Sequence, residues 1–481
     1  MGLFGSSKPA APAATAAPVP VAPVQTPLGR VVIGGKGIPP ELETRGFLFA
    51  GAPGTGKSQA ITKIVDSYHD GGQAVGIIAD VSGIYLSRYG VREGKDVILN
   101  PFDKRGALWC PLVEIDHRSE ITALVKSIIP DGTDSKSNEW QGYAQTLLHG
   151  ILESVYEMRG GNQEIVYLSL YAGIKELQVL LNGKPANSFL QNGGDTMFFN
   201  VRNIVASHIQ GLMYYDPSAD MSNSFSIRRH LQGKNPGWIY ITYEQGDRDS
   251  LKHMIAAQLD IAARSILNLV PNADRRVLFV IDELPLLGRV QSVLELLTNG
   301  RKYGSLTMIG IQTIAQLRNA YGRDNAQTLL SCLGTWLVLR CRDAETAKYM
   351  SEHFGEIEQV VISNSSSQTA NGGGLLASPS STIGQSEAIQ VRKLVLGSQV
   401  QCLPDLSGYL DVSGPSPLMS VTIPIVRARP SACPGFIRKP DPAPPAPKPE
   451  MRPAEEPWAQ SGEVAKENQD GGKSDGTFGF I

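Results

Sequence analysis

The stretch Gly51-Ala52-Pro53-Gly54-Thr55-Gly56-Lys57-Ser58 fits the pattern G-x-x-x-x-G-K-[ST] of a phosphate-binding loop, and the rest of the chain is read outward from it. Glycines let backbone N–H groups turn inward around phosphate oxygens with no Cβ in the way. Phe47-Leu48-Phe49-Ala50 before the loop reads as a buried strand. Residues 59–68 after it read as a helix with Ile61, Ile64 and Val65 on one face. Such a helix points its positive end at the same anion. The pattern predicts an ATP site in which Lys57 reaches the β- and γ-phosphates and the Ser58 hydroxyl sits on Mg²⁺.

A second stretch supplies what hydrolysis needs. The apolar run Val277-Leu278-Phe279-Val280-Ile281 ends in Asp282-Glu283. One carboxylate of such a pair holds Mg²⁺ through its water shell, and the next orients and polarises the attacking water. Asp282 is assigned to the metal and Glu283 to the water. Acidic residues often end strands, so the pair gains its weight from the phosphate loop. The following strand, 306–311, ends at Gln312, whose amide is placed to hydrogen-bond the γ-phosphate or the water and to pass hydrolysis on to the next helix. Arg301, within Gly300-Arg301-Lys302-Tyr303-Gly304, has no obvious use inside one subunit and is either a solvated loop arginine or a group that reaches a neighbour's nucleotide.

The bulk numbers set limits. A chain of 481 residues is long for one core and suggests more than one unit. The net charge is −2, so attraction to nucleic acid would have to come from a local basic patch or channel. Five scattered cysteines without a CxxC pair indicate neither a disulfide framework nor a zinc site, and a reducing cytoplasm fits best. No apolar run reaches the ~18–20 residues of a membrane helix. The N-terminus lacks the apolar stretch of a secretory signal. Met1-Gly2 starts a match to the N-myristoylation pattern, read here as chance.

Residues 1–29 are rich in Ala and Pro and read as a disordered tether. Strand and helix alternate over 30–118, with apolar runs ending at Asp80 and ahead of Asn100-Pro101-Phe102-Asp103. Asp80 and Asp103 either face a site or cap turns. Over 119–235 helical periodicity takes over, as in Ile121, Leu124, Val125 and Ile128. Tyr214, Tyr215, Arg228, Arg229, His230 and Lys234 give its later part an aromatic and basic character. Strands and helices return over 236–428, with 363–390 expected to be a mobile Ser/Gly/Asn insertion and a hairpin at 408–423. Residues 429–481 read as a disordered Pro-rich tail ending in an exposed Phe478-Gly479-Phe480-Ile481.

Taken together, Gly51–Ser58, Ile281-Asp282-Glu283-Leu284, Gly300-Arg301-Lys302, Gly310-Ile311-Gln312-Thr313, Asn100-Pro101-Phe102-Asp103 and Leu403-Pro404-Asp405-Leu406-Ser407-Gly408-Tyr409 resemble the type IV secretion coupling proteins, the conjugative DNA-pumping ATPases. The resemblance runs over 46–425. It implies an α/β fold: a RecA-like P-loop NTPase domain with a mostly parallel sheet, and an all-α domain inserted at 119–235 that meets DNA and relaxase. It also implies a homohexameric ring that hydrolyses ATP with Mg²⁺ to move DNA from a relaxase complex into a secretion channel. Carried over, Lys57, Ser58, Asp282 and Glu283 fall on the nucleotide site, Arg301 on the trans-acting arginine and Gln312 on the sensor glutamine.

Members of that family carry N-terminal transmembrane helices, and an Ala/Pro stretch stands there in this sequence. The expectation is a cytoplasmic protein, peripheral at the inner membrane, either recruited by a separate membrane subunit or acting as a soluble motor. Two other readings stay open at this point: a soluble RecA-like DNA pump in repair or chromosome partitioning, and a nucleotide-gated adaptor for secreted proteins.

Overall fold

The computed structural model describes residues 30–71, 75–190, 195–369, 380–414 and 416–440. A short hairpin comes first, β1 (Val32–Ile33) and β2 (Lys36–Gly37), turned by Gly34 and Gly35 at positive φ. Then follow β3 (Phe47–Ala50), β4 (Val75–Val81), β5 (Val97–Leu99), β6 (Ile239–Tyr243), β7 (Val277–Ile281), β8 (Ser305–Ile311), β9 (Thr335–Val338), β10 (Glu356–Thr369), β11 (Ser380–Lys393), β12 (Ser407–Val412) and β13 (Met419–Thr422).

Nine of these form one sheet in the order β13-β12-β9-β3-β8-β7-β4-β6-β5. The seven strands from β9 to β5 run parallel, and β12 pairs antiparallel with both β9 and β13. Runs such as Val277–Ile281 are apolar at every position because a parallel sheet is covered on both faces.

The two faces are visible in single strands. Leu278 and Val280 of β7 join a cluster with Phe47, Phe49, Ile61 and Ile64, under the helices Lys57–His69 and Ile84–Tyr89. Val277, Phe279 and Ile281 join the opposite cluster with Leu48 and Ile77, under the helix Arg248–Leu267. Full burial of each such side chain contributes about 1.5–3 kcal/mol. Between β5 and β6 lie the helices Ile121–Ile128, Ser135–Glu157, Asn162–Val166, Ile174–Leu180, Asp195–Ile209 and Ile227–Gln232. Their buried residues, Leu124, Leu148 and Ile227 among them, belong to that second cluster, so helical region and sheet share one continuous core.

Two expectations about disorder need correction. The segment read as a mobile insertion is a β-ribbon over most of its length: β10 and β11 pair antiparallel from Glu356↔Lys393 to Thr369↔Ser380. Residues 429–440, assigned to the disordered tail, lie as an extended strap against the body. Arg429 pairs with Asp66 of the helix Lys57–His69 and with Asp70, which caps that helix. The Ala432 N–H donates to the Ser87 carbonyl, Ile437 N–H to the Asp103 carboxylate, and Arg438 pairs with Asp247. These contacts satisfy the strap's charges and backbone, which a Pro-rich composition alone does not suggest. The 1–29 tether and the end of the tail, including Phe478–Ile481, lie outside the described residues.

Candidate nucleotide site

The phosphate loop leaves the carboxyl end of β3 and enters the helix Lys57–His69 directly. Gly54 and Gly56 hold φ of 76° and 116°, where a side chain would be strained, and Gly56 is the residue from which the helix starts. The Thr55 hydroxyl donates to the Ala52 carbonyl at 2.7 Å, closing the loop on itself. Lys57 is buried and its Nζ donates to the Gly51 carbonyl at 2.6 Å and to Ala52 at 3.3 Å.

Sheet order brings the other groups to this loop. β8 lies between β3 and β7, so the end of β8 stands between the loop and the Asp282-Glu283 pair. The Ser58 hydroxyl donates to Asp282 Oδ2 at 2.6 Å across 224 positions of sequence. Asp282 Oδ1 and Glu283 Oε1 are buried and have no hydrogen-bond partner. Burial raises the Asp282 carboxyl above its ordinary range, against the Ser58 hydrogen bond and the Lys57 charge. Burial pushes Glu283 up to about 7, against the Lys57 charge and the polar groups of Gln312. Gln312 therefore acts on Glu283, as its position at the end of β8 requires.

These residues fit a magnesium nucleotide. A cradle of glycines opens toward a lysine, and two desolvated carboxylate oxygens lack the partner that such a buried group needs. Among the described residues no cluster of three or more His, Cys, Asp or Glu could hold a metal. A nucleotide-borne Mg²⁺ asks less, because phosphates and waters fill most of its octahedron beside one hydroxyl and one carboxylate.

Arg301 is not brought to this cluster. It is exposed in the turn Gly300–Tyr303, ahead of the amino end of β8, and its side chain makes no hydrogen bond or ion pair among the described residues. Seven residues of strand separate it from the Gln312 end, roughly 23 Å at about 3.3 Å per residue. That is several times the length of an arginine side chain.

Asp80 and Asp103 are caps. Asp80 is fully buried and accepts the N–H groups of Tyr85 and Leu86 at 3.1 and 2.8 Å, and burial pushes its carboxyl up to about 7. Asp103 holds the Arg105 guanidinium and the strap. Most of the aromatic and basic group at 214–234 is structural too. Tyr215 is buried against Gln258, Arg228 pairs with Asp116 and Glu120, and the His230 ring hydrogen-bonds Gly237.

The structure adds residues that the motifs did not single out. A Cβ on Gly310 would stand 1.7 Å from the Asp282 carbonyl oxygen, so only glycine lets β8 pass that close to the acidic pair. On the other side of the loop, Arg340 and Leu406 bind its backbone. The Ala52 N–H donates to the Arg340 carbonyl at 2.8 Å, and the Leu406 N–H donates to the Thr55 carbonyl at 2.9 Å. Gly310 and Leu406 both stand inside quoted motifs, yet nothing local in the sequence says what touches them.

A family model described as the type IV secretion-system coupling protein DNA-binding domain matches residues 30–424. The chain belongs to this family of coupling proteins. It is 29% identical over 403 residues to the coupling protein TraD of Escherichia coli (strain K12), covering 82% of this chain and 54% of TraD. The chain thus spans about half the length of that curated relative. It is 35% identical over 97 residues to the coupling protein VirD4 of Bartonella henselae (strain ATCC 49882 / DSM 28221 / CCUG 30454 / Houston 1), covering 20% of this chain and 15% of VirD4. Among solved structures, the coupling protein TrwB in complex with ADP and Mg²⁺ matches with a TM-score of 0.74 at 26% identity, over 85% of this chain and 91% of TrwB. TrwB with the ATP analogue ADPNP matches with a TM-score of 0.73 at 26% identity, over 85% of this chain and 92% of TrwB. The mostly parallel sheet and its helical region are thus the fold of this coupling-protein family.

Proposed function

We propose that this coupling-family chain is an ATP-driven DNA translocase that delivers a relaxase–DNA substrate to a type IV secretion channel. The observation that carries the proposal is the meeting of Ser58, Asp282, Glu283 and Gln312 beside Lys57, with one buried unpartnered oxygen on each carboxylate. TrwB supports it, having been solved with ADP and Mg²⁺ and with ADPNP.

In this reading the N–H groups of 54–58 and Lys57 Nζ bind the phosphates, the lysine leaving the loop carbonyls it now meets, while the Gly51 and Ala52 N–H groups stay tied to the Ile311 and Arg340 carbonyls. Ser58 and Asp282 would hold Mg²⁺, which when bound neutralises charge between the β- and γ-phosphates. Glu283 orients the attacking water and takes its proton. Gln312 contacts the γ-phosphate and reports its loss to the helix Ile314–Tyr321. Arg301, out of reach of its own site, serves the site of the next subunit in a homohexameric ring. Residues 119–235 act as the helical domain that meets DNA and relaxase. No helix of the described residues is long and apolar enough to cross a membrane. Peripheral placement at the cytoplasmic face of the inner membrane, through a separate membrane subunit, belongs to the same proposal.

The test is steady-state ATP hydrolysis with and without DNA. DNA is expected to stimulate turnover, and Lys57→Ala to abolish both basal and stimulated activity. Turnover indifferent to DNA, or surviving Lys57→Ala, would sink the proposal.

A further inference from the structure

Two stretches leave the nucleotide site and meet again at one residue. After Glu283 the chain makes the turn Leu284–Leu287, packed by its two buried end leucines, and changes direction at Gly288, whose φ is 79°. After Gln312 it forms the helix Ile314–Tyr321. At the far end of that helix the buried Tyr321 hydroxyl accepts the Val290 N–H at 3.1 Å. A shift of either Glu283 or Gln312 therefore arrives at Val290.

The residues on either side of Val290 hold the helical region. Arg289 Nη1 donates to the Asp131 carbonyl at 2.8 Å and to the Gly132 carbonyl at 3.1 Å. Gln291 Nε2 donates to the Asp131 carboxylate at 3.1 Å, which also takes Gln145 Nε2 of the helix Ser135–Glu157 at 3.0 Å. The next residue is pinned, because the Ser292 N–H and the Ser127 hydroxyl both donate to the buried Asp260 carboxylate. Next to these contacts the two parts are not packed together. A cavity of about 200 Å³ separates them, walled by Gln141 and His208 from the helical region and by Gly288, Arg289 and Ala320 from the two stretches.

The joint is also underpaired. Arg289 Nε, Gln291 Oε1 and Gln141 Oε1 are buried and have no hydrogen-bond partner among the described residues. Groups of this kind are normally paired, and a joint that strands several of them loses little by moving to a second arrangement that pairs them.

We infer that Arg289 is the strut that carries the state of the nucleotide site to the helical region, a positioning residue that takes no part in the chemistry. The inference rests on the ATP-driven translocase reading given above. Coupling of two binding sites is reciprocal, so the strut is read from the DNA side as well as from turnover.

The experiment uses the full chain and labelled single- and double-stranded oligonucleotides. It measures their affinity with Mg²⁺–ADPNP and with Mg²⁺–ADP, beside ATP turnover with and without DNA. In the wild type the two nucleotides are expected to set DNA affinities about fivefold or more apart, and DNA to stimulate turnover. Arg289→Ala is expected to bring the two affinities within about twofold of each other and to lose the stimulation, with turnover in the absence of DNA within about threefold of wild type. Arg289→Lys, which can still donate to the two carbonyls, is expected to recover part of both effects. Gln291→Ala is expected to shift both in the direction of Arg289→Ala by less.

If Arg289→Ala fails to fold, Gln291→Ala decides, and unchanged coupling there overturns the inference. An Arg289→Ala chain that keeps both the affinity difference and the stimulation overturns it directly. So does one whose basal and stimulated turnover fall in equal proportion with the affinity difference kept, since Arg289 would then only hold the fold. A wild type that hydrolyses ATP and is indifferent to DNA is a different result, and it removes the translocase reading itself together with the inference.

Discussion

The carboxyl end and the amino end of the parallel strands are built on opposite plans. At the carboxyl end, charge is packed inward: Lys57 is buried against loop carbonyls, Ser58 reaches Asp282, and the acidic pair carries buried oxygens without partners. Desolvated groups of this kind are costly unless something completes them. At the amino end Arg301 is exposed, and among the described residues its side chain has neither ion pair nor hydrogen bond. One end is an incomplete socket and the other a free cation, about a strand's length apart. A single subunit cannot join them; the proposed ring of subunits would.

The sharpest way to break this comparison is to disable the socket alone. Glu283→Gln keeps the shape of the acidic pair and removes its capacity to take a proton, so turnover should fall about 10³-fold or more while ADPNP binding persists. Activity within tenfold of wild type would mean that the water is activated elsewhere.

Removing the cation tests the other end. Arg301→Ala removes one group that stabilises transition-state charge and should lower turnover by about 10²–10³-fold with nucleotide affinity little changed. Mixing is the more telling measurement. A ring assembled from Glu283→Gln and Arg301→Ala subunits contains interfaces with an intact glutamate facing an intact arginine, so two dead variants should regain activity together. Absence of any regain in co-assembled rings would place Arg301 outside the reaction.

A smaller effect is expected between the two ends. Gly310→Ala places a methyl against the Asp282 carbonyl and must push the acidic pair away from the loop. Displacements of about 1 Å cost on the order of 10² in rate. The thermal midpoint should fall by several degrees as well, since overpacking costs about 1–3 kcal/mol. A fully active, fully stable Gly310→Ala would show that β8 can shift without carrying Asp282.

How much of this was legible follows from how local each feature is. Gly51–Ser58 and Asp282-Glu283 could be read because phosphate chemistry fixes residue types over a few positions and apolar runs announce their strands. The partnership of Ser58 with Asp282 spans 224 positions and needed the sheet order. The ribbon of β10 and β11 was missed because Ser, Gly and Asn dominate its composition. The β-branched residues toward its base, Val360 directly opposite Ile389 with Ile362 and Val391 on the same face, were the available signal. Leu406 offered none, because its part in the site is a backbone contact with Thr55.

The strap at 429–440 was misread for the same reason, and it yields the smallest prediction. Burial alone would raise the Asp66 carboxyl. Hydrogen bonds from Arg88 and Tyr89, with the charges of Arg88 and Arg429, outweigh it and hold Asp66 below its ordinary range. A depressed carboxyl pKa contributes stability that is present above the unfolded value near 3.9 and is lost as pH falls through the folded one. Arg429 supplies part of that charge and also pairs with Asp70. Arg429→Ala should therefore lower the thermal midpoint by about 1–2 °C at pH 7. The deficit should shrink toward zero below about pH 4, where wild type loses the same pairing. A deficit that stayed constant down to pH 3 would mean that the arginine stem holds the strap by packing against Tyr89, 5.9 Å from its ring centre, and that its charge contributes little.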